Sequence, residues 1–197
     1  MGFDNTSLRA ITSEADVNLA SVNYHFGSKK QLIQEVLRRY LDVLMPKLDN
    51  QVAQLTSTNN ELTTEVLFDV MVEPILSLDQ VRPNGTKIFV QLFARAYYES
   101  QGHLRKFINS NYRDILSRLN SALHTAVPHL STSEVFWRWH FALGACVFTM
   151  ASSKALTDIA AADFNQHIEI EDLIKKVIQY IAAGFAAPKI ESVRLVS

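Results

Sequence analysis

The chain has 197 residues, of which 48% are hydrophobic and 20% are charged, and its formal net charge is -1. This length and composition suit one or two domains with a substantial core. The near-neutral charge excludes a generally basic nucleic-acid binder, although it is compatible with a small basic patch on an acidic body. The single cysteine, Cys146, excludes an internal disulfide and gives no metal cluster, and its apolar neighbours favour a buried thiol. The sequence shows no signal peptide and no apolar run of about 18 residues, so we expect a soluble, cytoplasmic protein.

The first predicted helix runs from about Leu8 to Ala15. Ser7 is a good N-cap for it, because a serine oxygen can accept an unpaired N–H of the first turn. Leu8 and Ile11 are expected to face inward. Arg9 is either a solvated side chain or a phosphate contact, and the sequence leaves both open.

The second predicted helix is short, follows Asp16 and has two different faces. Asn18 can cap it, and Leu19, Val22 and Phe26 recur at helical spacing, so they can face a core. The opposite side is small and polar, with Ala20, Ser21, Asn23 and Tyr24. Such a face can enter the DNA major groove, where Ser and Asn read base edges and an alanine methyl can touch thymine.

A tight turn follows this short helix. Gly27 suits a left-handed or strained conformation, and Ser28 with Gln31 forms a capping box for the next helix. Lys29 and Lys30 lie in the first turn of that helix, where cations are unfavourable, which indicates that an anion such as a DNA phosphate approaches. The alternative is a capped amphipathic helix pair of the kind found in many proteins, with lysines that are only solvated.

The remaining chain reads as a series of amphipathic helices. A long helix starts at Lys29, and Pro46 predicts a kink or break in it. Pro74 is expected to perturb the last turn of another helix, and Gly85 is expected to accept a positive φ in the turn before the next. Ser131 or Ser133 should cap the most apolar helix, and residues 157–167 are expected to be irregular or partly helical. The further helices are predicted at 61–78, 86–99, 103–126, 134–156 and 169–185.

Catalysis fits the sequence poorly, and we expect neither an enzyme nor a cofactor. The six histidines are scattered, and none pairs with a carboxylate at a spacing typical of a metal or acid–base site. No nucleophile elbow and no phosphate-binding glycine loop is present. His140, which lies between aromatic residues, is interpreted as a hydrogen-bonded core histidine, with a ligand contact as the alternative. The alternative class of function is a helical lipid-binding protein or an enzyme without a DNA role.

The run from Ser7 to Leu32 resembles the helix-turn-helix of TetR-family transcriptional repressors, and the subgroup pattern N-Y-H-F-G-S-K stands intact at Asn23 to Lys29. The amino-acid sequence of this motif is similar to that of the PsrA-type branch, whose members respond to fatty acids or their thioesters. Two departures are Asp16, where the family usually has Gly, and Asn23, where many members have Tyr. Family members have a further helix before this point. Its absence leads us to expect a truncated head that binds DNA poorly and is mobile.

The resemblance and the helix pattern together imply an all-α, one-component regulator, with a helix-turn-helix head at 1–45 and a ligand-binding and dimerisation domain at 46–197. The resemblance implies phosphate contacts at Tyr24, His25 and Lys29, while helix geometry places Ala20, Ser21 and Asn23 towards bases. A homodimer would read a palindromic, double-stranded operator with two heads. Its interface is predicted at the helices 134–156 and 169–185, which the resemblance also implies. The candidate DNA-binding residues are Ser7, Arg9, Asn18, Ala20, Ser21, Asn23, Tyr24, His25 and Lys29.

A small hydrophobic effector, such as a fatty acid or acyl-CoA, is the predicted ligand. Aromatic residues recur about every fourth position on two helices, and if these faced each other they would line an elongated apolar pocket. Arg95 or Arg138 could pair with an acidic head group, although both are expected at the surface. The alternative is that the aromatic residues are ordinary core. The candidate ligand-binding residues are Leu67, Met71, Phe89, Phe93, Tyr97, Phe141, Ala145 and Phe148.

Overall fold

The computed structural model describes residues 6–58, 61–98 and 102–189, with residues 94–98 described by their backbone alone. Every regular element in these ranges is helical, so the predicted all-α fold is confirmed. A 3₁₀ turn, Ser77–Gln80, lies between α5 and α6. The helices are α1 Leu8–Glu14, α2 Leu19–Phe26, α3 Lys29–Ser57, α4 Thr64–Asp69, α5 Val72–Leu76, α6 Gly85–Tyr98, α7 Gly102–Asn111, α8 Arg113–Ala126, α9 Thr132–Ala151, α10 Ser153–Phe164 and α11 Ile170–Ala186.

Helix α3 is the long element that joins the two ends of the molecule. It runs without interruption for 29 residues through Pro46, so the predicted break is wrong. The proline removes one intrahelical hydrogen bond, but Leu44, Met45 and Leu48 are buried on both sides of it. Burial of these side chains offsets the lost hydrogen bond and keeps the helix continuous.

The segment predicted as one helix at 61–78 is divided into α4, α5 and the 3₁₀ turn. Pro74 explains the first division, because its ring clashes with the carbonyl group four residues earlier, at Val70, which is where α4 ends. In the next turn Asn84 has the positive φ, 59°, and the prediction for Gly85 is wrong. Gly85 begins α6 instead, where a Cβ atom would collide with the carbonyl oxygen of Leu78.

Two other predicted helices are also divided, each at a single residue. The helix predicted at 103–126 is interrupted at Tyr112, whose φ of -126° and ψ of 22° lie outside the helical region. The helix predicted at 134–156 ends at Ala151, and α10 continues through most of the segment predicted to be irregular. Ser131 is the N-cap of α9.

The core is formed mainly where α11 packs between α4 and α9, while α6 packs on α9 and α3 packs on α8, α5 and α6. Phe68 of α4 lies near the centre, with its ring centroid 5.1 Å from that of Phe185 and 5.8 Å from that of Trp139. Helices α1 and α2 pack mainly on each other and on the start of α3. We call residues 6–36, which comprise α1, α2 and the start of α3, the head, and the remaining described residues the body. No helix in the described ranges is long and apolar enough to cross a bilayer.

Candidate nucleic-acid interface

Two side-chain caps and one glycine fix the local shape of the head, as the sequence predicts. The Asn18 side-chain oxygen accepts the N–H of Ala20 at 2.7 Å and starts α2. Gly27 ends α2 with a φ of 70°. The Ser28 hydroxyl accepts the N–H of Gln31 at 3.2 Å and starts α3. These caps and the glycine set the orientation of α2 relative to α1 and α3.

The turn between α1 and α2 contains two further features. Asp16 has a φ of 51°, in the left-handed region that Asp tolerates better than most residues do. Thr12 is 5% exposed, its hydroxyl donates to the Arg9 carbonyl, and its own carbonyl accepts the N–H of Val17 at 3.0 Å. Thr12 was not predicted as a core residue of the head, although it lies four residues after Leu8 and therefore on the same face of α1.

Helix α2 has the two faces that its sequence predicts. Leu19, Val22 and Phe26 are half-buried, and no residue of α2 is fully buried. The residues on the other side are exposed: Ala20, Ser21, Asn23, Tyr24 and His25. The helix therefore offers a continuous small and polar surface to a partner, and the assignment of that surface to DNA stays a prediction.

Tyr24 is the most prominent side chain of this surface, with 85% of it exposed. Its ring meets that of His25 edge-on, with 5.2 Å between the ring centroids. A tyrosine left this exposed contributes little to the fold, and its hydroxyl is available to donate a hydrogen bond to a phosphate oxygen.

The other candidate DNA contacts surround α2 and have different local roles. The Lys29 ammonium group donates to the carbonyl oxygen of Thr6 at 3.0 Å, which ties the start of α3 to the start of α1. The Ser7 hydroxyl accepts the N–H of Ala10, so it caps α1. Arg9 is exposed on α1. The side-chain oxygens of Ser7 and Asn18 thus already serve helix caps.

The predicted ligand-binding residues do not enclose one pocket in the body. Leu67, Met71 and Phe89 are buried in the core, and Phe93 is half-buried with its ring centroid 5.7 Å from that of Phe89. Phe141 and Phe148, by contrast, are 67% and 64% exposed, while Ala145 is half-buried. Helix α9 turns its Val135, Ala142 and Met150 side towards the core, so the two phenylalanines point elsewhere. The side chain of Tyr97 lies outside the described residues.

Arg138 is not the surface residue that the sequence suggests. It is 8% exposed, and its guanidinium group donates to the carbonyl oxygens of Gly184, Phe185, Ala187 and Pro188 at 2.6–2.9 Å. A cation at the end of a helix is favourable, because it pairs with carbonyl groups that lack intrahelical partners. Arg138 therefore caps α11 and is not placed to bind an acidic head group. The side chain of Arg95 lies outside the described residues.

Two further side chains of α9 differ in their surroundings. His140 is exposed, its Nδ1 atom lies 2.7 Å from the carbonyl oxygen of Phe136 and its ring centroid lies 4.1 Å from that of Phe136, so the interpretation as a core histidine is wrong. Cys146 is half-buried. Burial raises the pKa of its thiol to about 11, which disfavours the reactive thiolate.

Comparisons with known proteins match both ends of the chain to one group of regulators. The model described as "Bacterial regulatory proteins, tetR family" matches residues 1–36. The model described as "Tetracyclin repressor-like, C-terminal domain" matches residues 69–184. The chain is also similar to the "Probable HTH-type transcriptional regulator YttP" of Bacillus subtilis (strain 168), with 28% identity over 71 residues. That match covers 36% of this chain and 34% of the length of the curated relative.

Proposed function

Because this chain belongs to the TetR family of bacterial regulatory proteins, we propose that it is a one-component transcriptional repressor that binds operator DNA through α2. The observation that carries this proposal is the outer face of α2, which is small, polar and exposed along its whole length. The caps at Asn18 and Gly27 give this helix a defined direction. A short helix of this kind, held by its neighbours, is suited to insertion into a major groove.

Within this surface we assign base and phosphate contacts to different residues. Ala20, Ser21 and Asn23 would face base edges, where an asparagine side chain can pair with adenine. Tyr24, His25 and Lys29 would hold phosphates and fix the register of the helix. Asn18 caps the start of α2. It therefore helps to orient the helix, and we assign no base contact to it.

The binding test is fluorescence anisotropy with DNA selected from a random library, at several salt concentrations. Specific binding should persist at a salt concentration where non-specific binding is lost. Replacement of Lys29 by alanine should weaken binding to all sequences and reduce the salt slope by about one unit. Replacement of Asn23 by alanine should cost about 1–3 kcal/mol at selected base positions. Failure of the full-length protein to select any sequence would favour the alternative, a helical lipid-binding protein or an enzyme without a DNA role.

A homodimer follows from the proposal, because two heads are needed to read a palindromic operator tightly. It is supported by large apolar side chains that α9 and α11 leave exposed: Phe136, Trp137, Phe141, Phe148 and Tyr180. An open groove of about 340 Å³, lined in part by Phe148, Val177 and Tyr180, continues this surface across both helices. A second copy that covers the surface would remove it from water.

Sedimentation at micromolar concentration tests the dimer. Phe141→Asp should convert it to a monomer, since a charge would be buried in the interface. Val66→Asp is the matched control, because Val66 is an apolar side chain that is 40% exposed on α4, which is not one of the two proposed interface helices. A wild-type monomer, or equal dissociation of both variants, would contradict the proposed interface.

We further propose that a hydrophobic effector, such as a fatty acid or acyl-CoA, releases the protein from DNA. The sequence N-Y-H-F-G-S-K supports this ligand class through its resemblance to the PsrA-type branch. The contact between aromatic rings of α3 and α6 suggests where the effector acts. The ring centroids of Tyr40 in α3 and Phe89 in α6 lie 5.7 Å apart. An acyl chain that separates these rings would gain about 0.8 kcal/mol per buried methylene and would move α3.

Saturated acids of increasing length, titrated into the protein–operator complex, test the effector class. Only a ligand that binds the non-DNA-binding arrangement more tightly can release the operator. Release should therefore strengthen with chain length. The same effect with equally charged short acids would indicate that the acyl chain is not what is recognised.

A further inference from the structure

Helix α3 carries a polar side that faces the α7–α8 pair, in addition to its buried apolar side. Arg38 lies over the ring of Phe107 of α7, with 5.1 Å between the guanidinium carbon and the ring centroid. Asp42 accepts a hydrogen bond from Tyr112, and Asp49 pairs with Arg118 of α8. These three α3 residues are spaced four and seven positions apart, so they share one face of the helix.

The Tyr112 contact joins irregular points in two helices. Tyr112 is the single residue that separates α7 from α8. Asp42 lies four residues before Pro46, which has no N–H to donate to the Asp42 carbonyl group. A helix bends most easily at the point where a proline removes such a hydrogen bond. The side chain that Tyr112 contacts therefore belongs to the residue whose carbonyl group loses its usual intrahelical partner at Pro46.

The hydrogen bond itself is short, and the residue that donates it is buried. The Tyr112 hydroxyl donates to the Asp42 carboxylate at 2.6 Å, and Tyr112 is 9% exposed. Burial, together with the hydrogen bond and negative charge of Asp42, raises the pKa of Tyr112 well above its usual value. The hydroxyl thus stays protonated and can donate at any physiological pH.

The pair Arg118 and Asp49 joins the same two helices on the other side of Pro46. Arg118 donates to both carboxylate oxygens of Asp49, at 2.6 and 2.7 Å. Both pairs lie along the part of α3 that packs on the body, with Asp42 on the head side of Pro46 and Asp49 on the far side. This pair is therefore a matched control for the Tyr112 contact.

We propose that Tyr112 and Asp42 are positioning residues that restrain bending of α3 at Pro46 and thereby set the angle between the head and the body. Helix α3 rises about 1.5 Å per residue, so its first residue lies about 20 Å along the axis from Asp42. A change of about 5° at Asp42 would move the head by about 2 Å at that distance, enough to misplace α2 in a groove. Any rearrangement of α7 and α8 would reach the head through the same contact.

The relevance of this contact to DNA binding rests on the proposed function, but the contact itself can be tested without DNA. Spin labels at Glu14→Cys in α1 and Asp69→Cys at the end of α4, both exposed positions, report the distance between head and body. The labels are placed in a Cys146→Ala background, and the labelled chain is diluted with excess unlabelled chain. Thermal unfolding of each variant shows whether it remains folded.

Tyr112→Phe removes only the hydroxyl group and should broaden or shift the distance distribution by about 2 Å, in line with the lever length of α3. Asp42→Asn, which keeps an acceptor oxygen, should behave like wild type, and Asp42→Ala should behave like Tyr112→Phe. Pro46→Ala combined with Tyr112→Phe should restore a narrow distribution, because α3 regains its hydrogen bond. Arg118→Gln should leave the distribution unchanged.

An unchanged distribution in Tyr112→Phe, or an equal change in Arg118→Gln, would overturn the proposal. A chain that passes this test but binds no operator would refute the proposed function alone.

Discussion

The head and the body of this protein are stabilised by different means. In the body, α11 alone has seven buried residues. An aromatic cluster joins three helices there, through Phe68 of α4, Trp139 of α9 and Phe185 of α11. In the head, α2 has no fully buried residue. Its shape depends on caps at both of its ends, which act through the backbone.

This difference indicates how the molecule separates stability from recognition. A region with few buried apolar contacts opens locally at low free-energy cost. The head can therefore leave most of α2 exposed for a partner, while the body keeps the chain folded. Changes in the body should affect global unfolding, and changes in the head should affect local opening.

The largest effect is expected for Phe68→Ala in the body. Phe68 is 2% exposed and contacts the rings of both Trp139 and Phe185. Loss of a buried phenylalanine ring typically costs about 3–5 kcal/mol, so urea denaturation should show a large fall in the free energy of unfolding. Phe164→Ala is the control, because Phe164 is 68% exposed and should cost little. Equal effects of the two variants would contradict the assigned core.

A smaller effect, limited to the head, is expected for Gly27→Ala. Gly27 has a φ of 70°, and a Cβ atom there would lie 2.5 Å from the Gln31 side-chain oxygen. A left-handed conformation costs a non-glycine residue about 1–2 kcal/mol. Hydrogen exchange should therefore accelerate in α2 and not in α11. Gly184→Ala, at a helical site with nothing within 4 Å of the added atom, should leave both rates nearly unchanged.

Loss of a helix cap should weaken the head by less. Asn18→Ala removes the acceptor for the Ala20 N–H and should cost about 1 kcal/mol of local stability. Asn18→Asp keeps an acceptor and should restore slow exchange in α2. Equal exchange in the alanine and aspartate variants would show that this cap does not hold the helix.

The last effect concerns pH and the body, and it vanishes near neutral pH, where the Cys146 thiol is protonated in both the folded and the unfolded chain. Cys146 has a pKa raised to about 11 by burial, whereas a thiol in an unfolded chain has a pKa of about 8.5. A raised folded pKa means that the protonated thiol favours the fold. This contribution is complete below pH 8.5 or so and is lost as the pH rises towards 11. The unfolding free energy of wild type should therefore fall more steeply than that of Cys146→Ala above this pH, and parallel curves would contradict the burial of the thiol.

The sequence predicts the head well because its signals are local. Ser7, Asn18, Gly27 and Ser28 act within four residues along the chain, so each cap can be recognised from its neighbours. The same holds for the two faces of α2, which follow from helical periodicity.

The body could be predicted only in outline, because distant contacts decide its details. Arg138 binds carbonyl groups more than 40 positions away in the chain, which no local pattern reveals. Helix α9 is apolar nearly all round, so periodicity could not show that Phe141 and Phe148 lie outside. The interruption at Tyr112 has no proline or glycine beside it, and the side chain at that residue makes a long-range hydrogen bond with Asp42.

The role of α2 as the DNA-reading element can be tested most directly with a selected operator and all of its single-base variants. The affinity profile is measured for wild type, Asn23→Ala and Tyr24→Phe, the last of which removes only an exposed hydroxyl group. We expect Asn23→Ala to lose discrimination at one or two base positions and Tyr24→Phe to weaken binding to every sequence equally, because base contacts specify and phosphate contacts position. Profiles for both variants that match the wild-type profile in shape and in strength would contradict the account.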